Sequence, residues 1–148
     1  MPIRPEHRWL YPIDWRELSA LVRFGRAEGR CERCGRPHGQ VVRHLGDGRW
    51  WDAARRCWRD ARGRRTRGEK PRQLRLEALA GSAPLATTRV VLASAHLDHD
   101  PGNNRMRNLA ALCQRCHLEH DRVEHCRRRH ANLFRRRALG DLFLGRYV

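Results

Sequence analysis

The chain is short of apolar runs, of acid and of lysine. Nowhere do roughly 18 apolar residues follow one another, which excludes a membrane-spanning helix. No apolar run of leader length follows Met1, so no secretory signal is expected and the protein is expected in the cytoplasm. Thiols stay reduced there, so paired cysteines read as metal ligands rather than disulfides. Acid is scarce: 16 Asp+Glu stand against 32 Lys+Arg, a formal net charge of +16. Such a surface attracts polyanions, and nucleic acid is the obvious one. Lys70 is the only lysine, so a GC-rich genome explains part of the arginine excess without selection for binding. Charge points to a nucleic-acid partner and names no reaction.

At 148 residues the chain is expected to form one domain whose modest core needs a staple. Cys31-x-x-Cys34 and Cys113-x-x-Cys116 supply it. Gly35 suits the tight turn of a zinc knuckle, and two such pairs make a tetrahedral Cys₄ site. A structural Zn²⁺ there contributes ~10 kcal/mol or more to folding. No strand–helix–strand pattern surrounds either pair, which argues against a redox motif. Cys57 and Cys126 are left as free thiols.

The remaining pattern is mixed. Residues 1–13, rich in proline, read as an extended arm whose Trp9 and Tyr11 pack on the domain. Asp14-x-x-Glu17 is a capping-box-like start for a helix over 15–27, with Trp15, Leu18, Leu21 and Val22 on its buried stripe. Gly29 ends it, and residues 14–35 thus hold the helix and first knuckle. Gly46-Asp47-Gly48 between Val41–Leu45 and Arg49–Trp51 signals a hairpin. Hairpin and basic insertion together span 41–84. Residues 55–72, broken by Gly63, Gly68 and Pro71, read as a flexible stretch. Its Arg64 and Arg65 follow phosphates and Trp58 stacks on a base, or the stretch is simply solvated. A short helix is expected over 73–79. Residues 122–148 form a basic helical tail carrying Arg127 and Arg128, with an apolar patch at 139–144 that docks on the domain or makes a dimer contact. No repeat and no helix-turn-helix is visible.

Residues 89–121 organise the rest. Arg89–Ser94 reads as a buried strand ending at His96, followed by a Pro/Gly/Asn loop, a second strand Asn108–Cys113 and a helix beginning near His117. The segment Ala95-His96-Leu97-Asp98-His99-Asp100-Pro101-Gly102-Asn103-Asn104-Arg105-Met106-Arg107-Asn108-Leu109, with the two Cys pairs, resembles the HNH endonuclease family. The resemblance covers residues 30–35 and 89–121 and is gapless with His96 as the first histidine. A rival register, with Asp98-His99 as the pair, shortens the loop by three residues.

The resemblance implies an α+β, zinc-stapled ββα-metal (HNH) domain with an N-terminal helix, a β-hairpin insertion and a long C-terminal helix. It implies His96 as the general base that activates water, Asn108 as the loop brace that orients it, and His117 as a ligand of a catalytic divalent ion. Asp121, four residues on along the helix, is a further ligand, with His120 as the substitute. The place before the base, where the family carries Asp or His, holds Ala95. Asp98 or His99 then supplies the missing ligand, or the ion is held weakly, or the site is degenerate. The ion is Mg²⁺, Mn²⁺, Ni²⁺ or Zn²⁺. Arg105 and Arg107 join Arg127, Arg128, Arg64 and Arg65 as phosphate contacts to double-stranded DNA. Two alternatives stand beside this nuclease: a non-catalytic zinc-stapled nucleic-acid-binding module, and a nicking subunit of a larger phage packaging or defence complex.

Overall fold

In the computed structural model, which describes residues 5–66 and 85–137, a two-stranded and a four-stranded antiparallel sheet share one core in a small α+β chain. Pro5–Leu10 forms a 3-10 turn rather than an extended arm. Trp9 stays 79% exposed, while Tyr11 packs edge-on against Trp15 with ring centroids 4.8 Å apart. Helix α1 spans Trp15–Ala20 and widens into a π-helical turn over Leu21–Arg26. Asp14 occupies the N-cap position, but its side chain makes no capping hydrogen bond, contrary to the capping-box expectation. Glu28 and Gly29, both at positive φ, end the helix as expected near Gly29.

The two-stranded sheet pairs β5 (Leu92–His96) with β6 (Leu109–Cys113), with Leu92 opposite Cys113 and His96 opposite Leu109. Every β6 residue is buried because both faces are covered. Leu109 and Ala111 pack with Val22, Ala27, Trp15 and Leu18 of the N-terminal helix. Ala110 and Leu112 pack from the other face with Val42, Trp50, Val90 and the four paired cysteines. Truncating a side chain as enclosed as Leu109 costs about 2–5 kcal/mol.

The four-stranded sheet runs β3-β2-β1-β4. Its strands are β1 (Val41–His44), β2 (Trp50–Asp52), β3 (Cys57–Arg59) and β4 (Ala86–Arg89). The β1–β2 hairpin is the one signalled by Gly46-Asp47-Gly48, with Gly46 and Gly48 in left-handed conformations. β3 was not expected, since residues 55–72 read as flexible. Trp58 pairs with Trp51, Cys57 with Asp52, and the Asp52 carboxylate receives Arg59 Nε at 2.7 Å. Cross-strand partners thus override the local glycine signal. The helix expected over 73–79 and the apolar patch at 139–144 lie outside the described residues.

Helix α2 runs Gln114–Arg137 and starts three residues before His117, so Cys116 belongs to its first turn. Gln114 holds that start: its Nε2 donates to Arg89 O at 2.8 Å and its Oε1 accepts from Val91 N at 3.0 Å. Among the described residues no helix is long and apolar enough to cross a membrane.

Candidate metal centres and cleft

Cys31, Cys34, Cys113 and Cys116 converge as expected, each no more than 2% exposed, with sulfur atoms within 4.8 Å of one another. Cys34 Sγ and Cys113 Sγ lie 3.6 Å apart. A tetrahedron with ~2.3 Å zinc–sulfur bonds has edges of about 3.8 Å, so the cage fits a structural metal such as zinc. The knuckle is shaped by Gly35 N donating to Cys31 O at 2.8 Å, and Cys113 N donates to Cys31 Sγ at 3.3 Å. Hydrogen bonds among the thiols lower Cys31 and bring Cys113 down to about 7, while Cys34 and Cys116 are pushed up. Four thiolates cannot coexist in this pocket without a cation between them.

Glu32 locks the first knuckle to β6: its backbone N donates to Ala111 O and its carboxylate accepts from Ala111 N at 2.7 Å. Arg26 grips the same carboxylate through Nε at 2.8 Å and Nη2 at 3.0 Å, and reaches Met106 O and Leu109 O. Arg26 and Glu32 were missed in the sequence; they look like ordinary surface charges until the knuckle folds against the strand.

A cleft of about 580 Å³ opens between the N-terminal turn, α1, β5 and α2. His96, His99, His117 and Asp121 line it together with Arg23 and Arg128. His96, the last residue of β5, stacks on Trp15 with centroids 5.5 Å apart and an interplanar angle of 9°. Its Nε2 meets Asn104 Oδ1 at 3.0 Å. The amide of Asn104 has one workable orientation, because its Nδ2 points at the carbonyls of Leu10, Pro101 and Gly102 at 2.8, 3.2 and 3.3 Å. Oδ1 therefore accepts from His96, Nε2 carries a proton, and in the neutral ring Nδ1 keeps its lone pair.

Asn108 was expected to orient His96, and it does not touch that ring. Its Nδ2 donates to Asp98 Oδ1 and to Asn103 O, both at 2.8 Å, and its Oδ1 accepts from Asp98 N at 3.2 Å. Asn108 braces the loop; Asn104, missed in the sequence, orients the histidine. Asp98, an expected ligand, is turned into the same loop network by Asn108, Asp100 N and Asn103 Nδ2, which hold its carboxyl down at about 2. It is not a member of the group whose donor atoms converge.

That group is His99, His120 and Asp121, with donor atoms within 4.8 Å of one another. Asp121 lies between two histidines: Oδ1 is 3.3 Å from His99 Nδ1 and Oδ2 is 3.3 Å from His117 Nε2. The His99 and His120 rings stack at 4.4 Å, and His120 Nε2 donates to His96 O at 3.1 Å. His120, named only as a substitute, thus belongs to the converging group, while His117 joins through Asp121 alone. Burial pushes the His117 imidazole below its ordinary value, with Asp121 opposing, so the neutral form that binds metals is favoured. His99 holds φ at 63°, a left-handed conformation that a non-glycine residue adopts at a cost.

Ala95 is 1% exposed and faces the core beside Ala110, on the opposite side of β5 from His96. Arg105 and Arg107 are exposed around the 3-10 turn Met106–Asn108. Arg127 is exposed on α2, and Arg128 lines the cleft and pairs with Glu124 at 2.8 Å. Arg64 pairs with Asp60 at 2.8 Å, and Arg65 is exposed. Cys57 is buried and Cys126 exposed, both as free thiols. Comparisons with protein-family models, curated proteins and solved structures return no match, so the functional reading rests on this geometry.

Proposed function

We propose that this protein is a metal-dependent endonuclease of the HNH kind that hydrolyses DNA phosphodiester bonds with a His96-activated water. One observation carries the reading: His96, tied through Nε2–H to Asn104 Oδ1, lines a cleft that it shares with His99, His117 and Asp121. An imidazole that donates through Nε2 leaves Nδ1 as the atom that can take a proton from water, as a general base must. Trp15 stacking and the Asn104 hydrogen bond limit its rotation, so the ring meets water in one orientation. The mixed imidazole and carboxylate donors of His99, His120 and Asp121 fit a divalent ion with open positions. Such an ion, when bound, stabilises negative charge on phosphate and leaving oxygen. Arg23 and Arg128 at the cleft supply positive charge for the backbone, and the basic surface gives affinity with steep salt dependence. The order β5–loop–β6–α2, closed by the Cys₄ cage, is consistent with the ββα-metal arrangement.

A second reading, a zinc-stapled binding module without cleavage, draws on Ala95, which has no donor atom. Supercoiled plasmid incubated with the zinc-loaded protein and Mg²⁺, Mn²⁺ or Ni²⁺ separates the two. Metal-dependent nicking lost in His96→Ala supports the nuclease. Nicking that survives in His96→Ala but not in His99→Ala moves the base to His99. A gel shift without nicking under any ion favours the binding module or a missing partner.

A further inference from the structure

We infer that the outward face of the four-stranded sheet is a second nucleic-acid contact, one that stacks unpaired bases on Trp51 and Trp58. Alternation sends Trp50, Asp52 and Cys57 into the core and leaves Trp51 and Trp58 on the other face, paired across β2 and β3. Their rings meet edge to face with centroids 5.6 Å apart, so one indole props the other. The His44–Trp50 register sets Arg43 beside Trp51, and Thr87 lies opposite Arg43 on the next strand. One row therefore reads Thr87, Arg43, Trp51, Trp58 across four strands, a span of about 14 Å at strand spacing. Arg89 and Val41, exposed, form the adjoining pair.

Charge decides what covers this face. Residues 41–66 hold eight arginines against three aspartates. Asp47, Asp52 and Asp60 are already matched by Arg49, Arg59 and Arg64. Arg43 and Arg89 have no carboxylate partner among the described residues. Half-buried indoles flanked by guanidiniums without a carboxylate partner suit a polyanion that carries aromatic rings. A duplex hides the base faces, so the occupant is single-stranded. Arg89 lies two residues from Val91, which lines the cleft, so strand on the sheet runs toward His96. The inference deepens the DNA reading above, naming a substrate with an unpaired stretch beside the cut. It does not need cleavage to be tested.

The test is fluorescence anisotropy of the zinc-loaded full chain, without other divalent ions, on labelled oligo(dT) and on a duplex of equal length. The wild type is expected to prefer the single strand. Trp58→Thr should weaken single-strand binding about tenfold and leave duplex binding within twofold, with Trp58→Phe restoring most of it. Arg43→Glu, exposed and outside the core, repeats the test where Trp58→Thr fails to fold, and should weaken the single strand more than the duplex. A wild type that binds both equally, or variants that lose both in parallel, overturns the platform. A plasmid that is never nicked, with these ratios intact, removes cleavage by this chain alone and leaves the platform standing.

Discussion

Stripping the metal from the Cys₄ cage should unfold the domain, and the size of the effect follows from where the cage sits. The four cysteines join two segments that are 79 residues apart at their nearest, Cys34 to Cys113, and are part of the main core cluster with Val42, Trp50, Leu92 and Leu112. A structural zinc of this kind contributes about 10–16 kcal/mol, whereas a whole domain is stable by about 5–15 kcal/mol. Without the ion, four thiols packed with sulfurs as close as 3.6 Å have no compensating cation, and the knuckle, β6 and the start of α2 lose their common anchor. Purified protein should contain one zinc per chain by elemental analysis. A strong chelator under reducing conditions should abolish helical circular dichroism and the cooperative melt, and added zinc should restore both. Cys34→Ala should behave like the stripped protein. Cys126→Ser, at an exposed position on α2, should melt like the wild type. Helical circular dichroism and an unchanged melt after complete metal removal would refute the argument.

Other outcomes follow from single contacts. Asp98, depressed to about 2 from 3.8 chiefly by the Asn108 amide, stabilises the folded loop above about pH 4, and that contribution is lost as pH falls through about 2. Carboxyl NMR titration should find that midpoint, and Asn108→Ala should move it up toward 3.8; an unmoved midpoint would contradict the assignment. Gly63 has φ of 79°, and a Cβ there would stand 2.7 Å from Cys34 O, so Gly63→Ala should destabilise by about 1–3 kcal/mol in thermal melts. Gly39→Ala, with φ of 75° and nothing within 4 Å, should lose less; equal losses would remove the role given to the contact. His99→Gly relieves a left-handed residue and should melt no lower than the wild type, yet bind Mn²⁺ at least tenfold more weakly by calorimetry. Unchanged Mn²⁺ binding would take His99 out of the ligand set.

Sequence spacing carried the cage, because Cys-x-x-Cys twice needs no knowledge of the fold between the pairs. It also carried β5, β6 and the β1–β2 hairpin, whose apolar runs and Gly-Asp-Gly turn are local signals. β3 escaped because its partners, Trp51 and Asp52, act across the sheet rather than along the chain. Asn104 escaped for a related reason: its three carbonyl acceptors include Leu10, 94 residues away, which no spacing rule reaches. The Asp14 capping box misled because matching residue types do not ensure side-chain geometry; Asp14 sits at φ −91°, ψ 21° without the bond.

Ala95 and His99 sit in opposite settings, one in the core and one in the loop beside α2. A carboxylate at position 95 would be buried in the core, beside Ala110 and the cysteine cage, where an unpaired charge is costly. A small residue there lets the two strands and the cage close. The loop holds a donor that position 95 does not, where His99 meets His120 and Asp121 of α2. A donor on a loop is only as well placed as the loop itself, and this one holds a left-handed backbone at His99. Asp98 and Asn103 flank that strain with side-chain hydrogen bonds, and Asn108 ties them both to the start of β6. The Asn108 network therefore acts on the position of His99, while Asn104 acts on the tautomer of His96. The His96 ring and the candidate metal donors are thus held by different side-chain amides, while the His96 carbonyl, which accepts from His120 Nε2, joins the two.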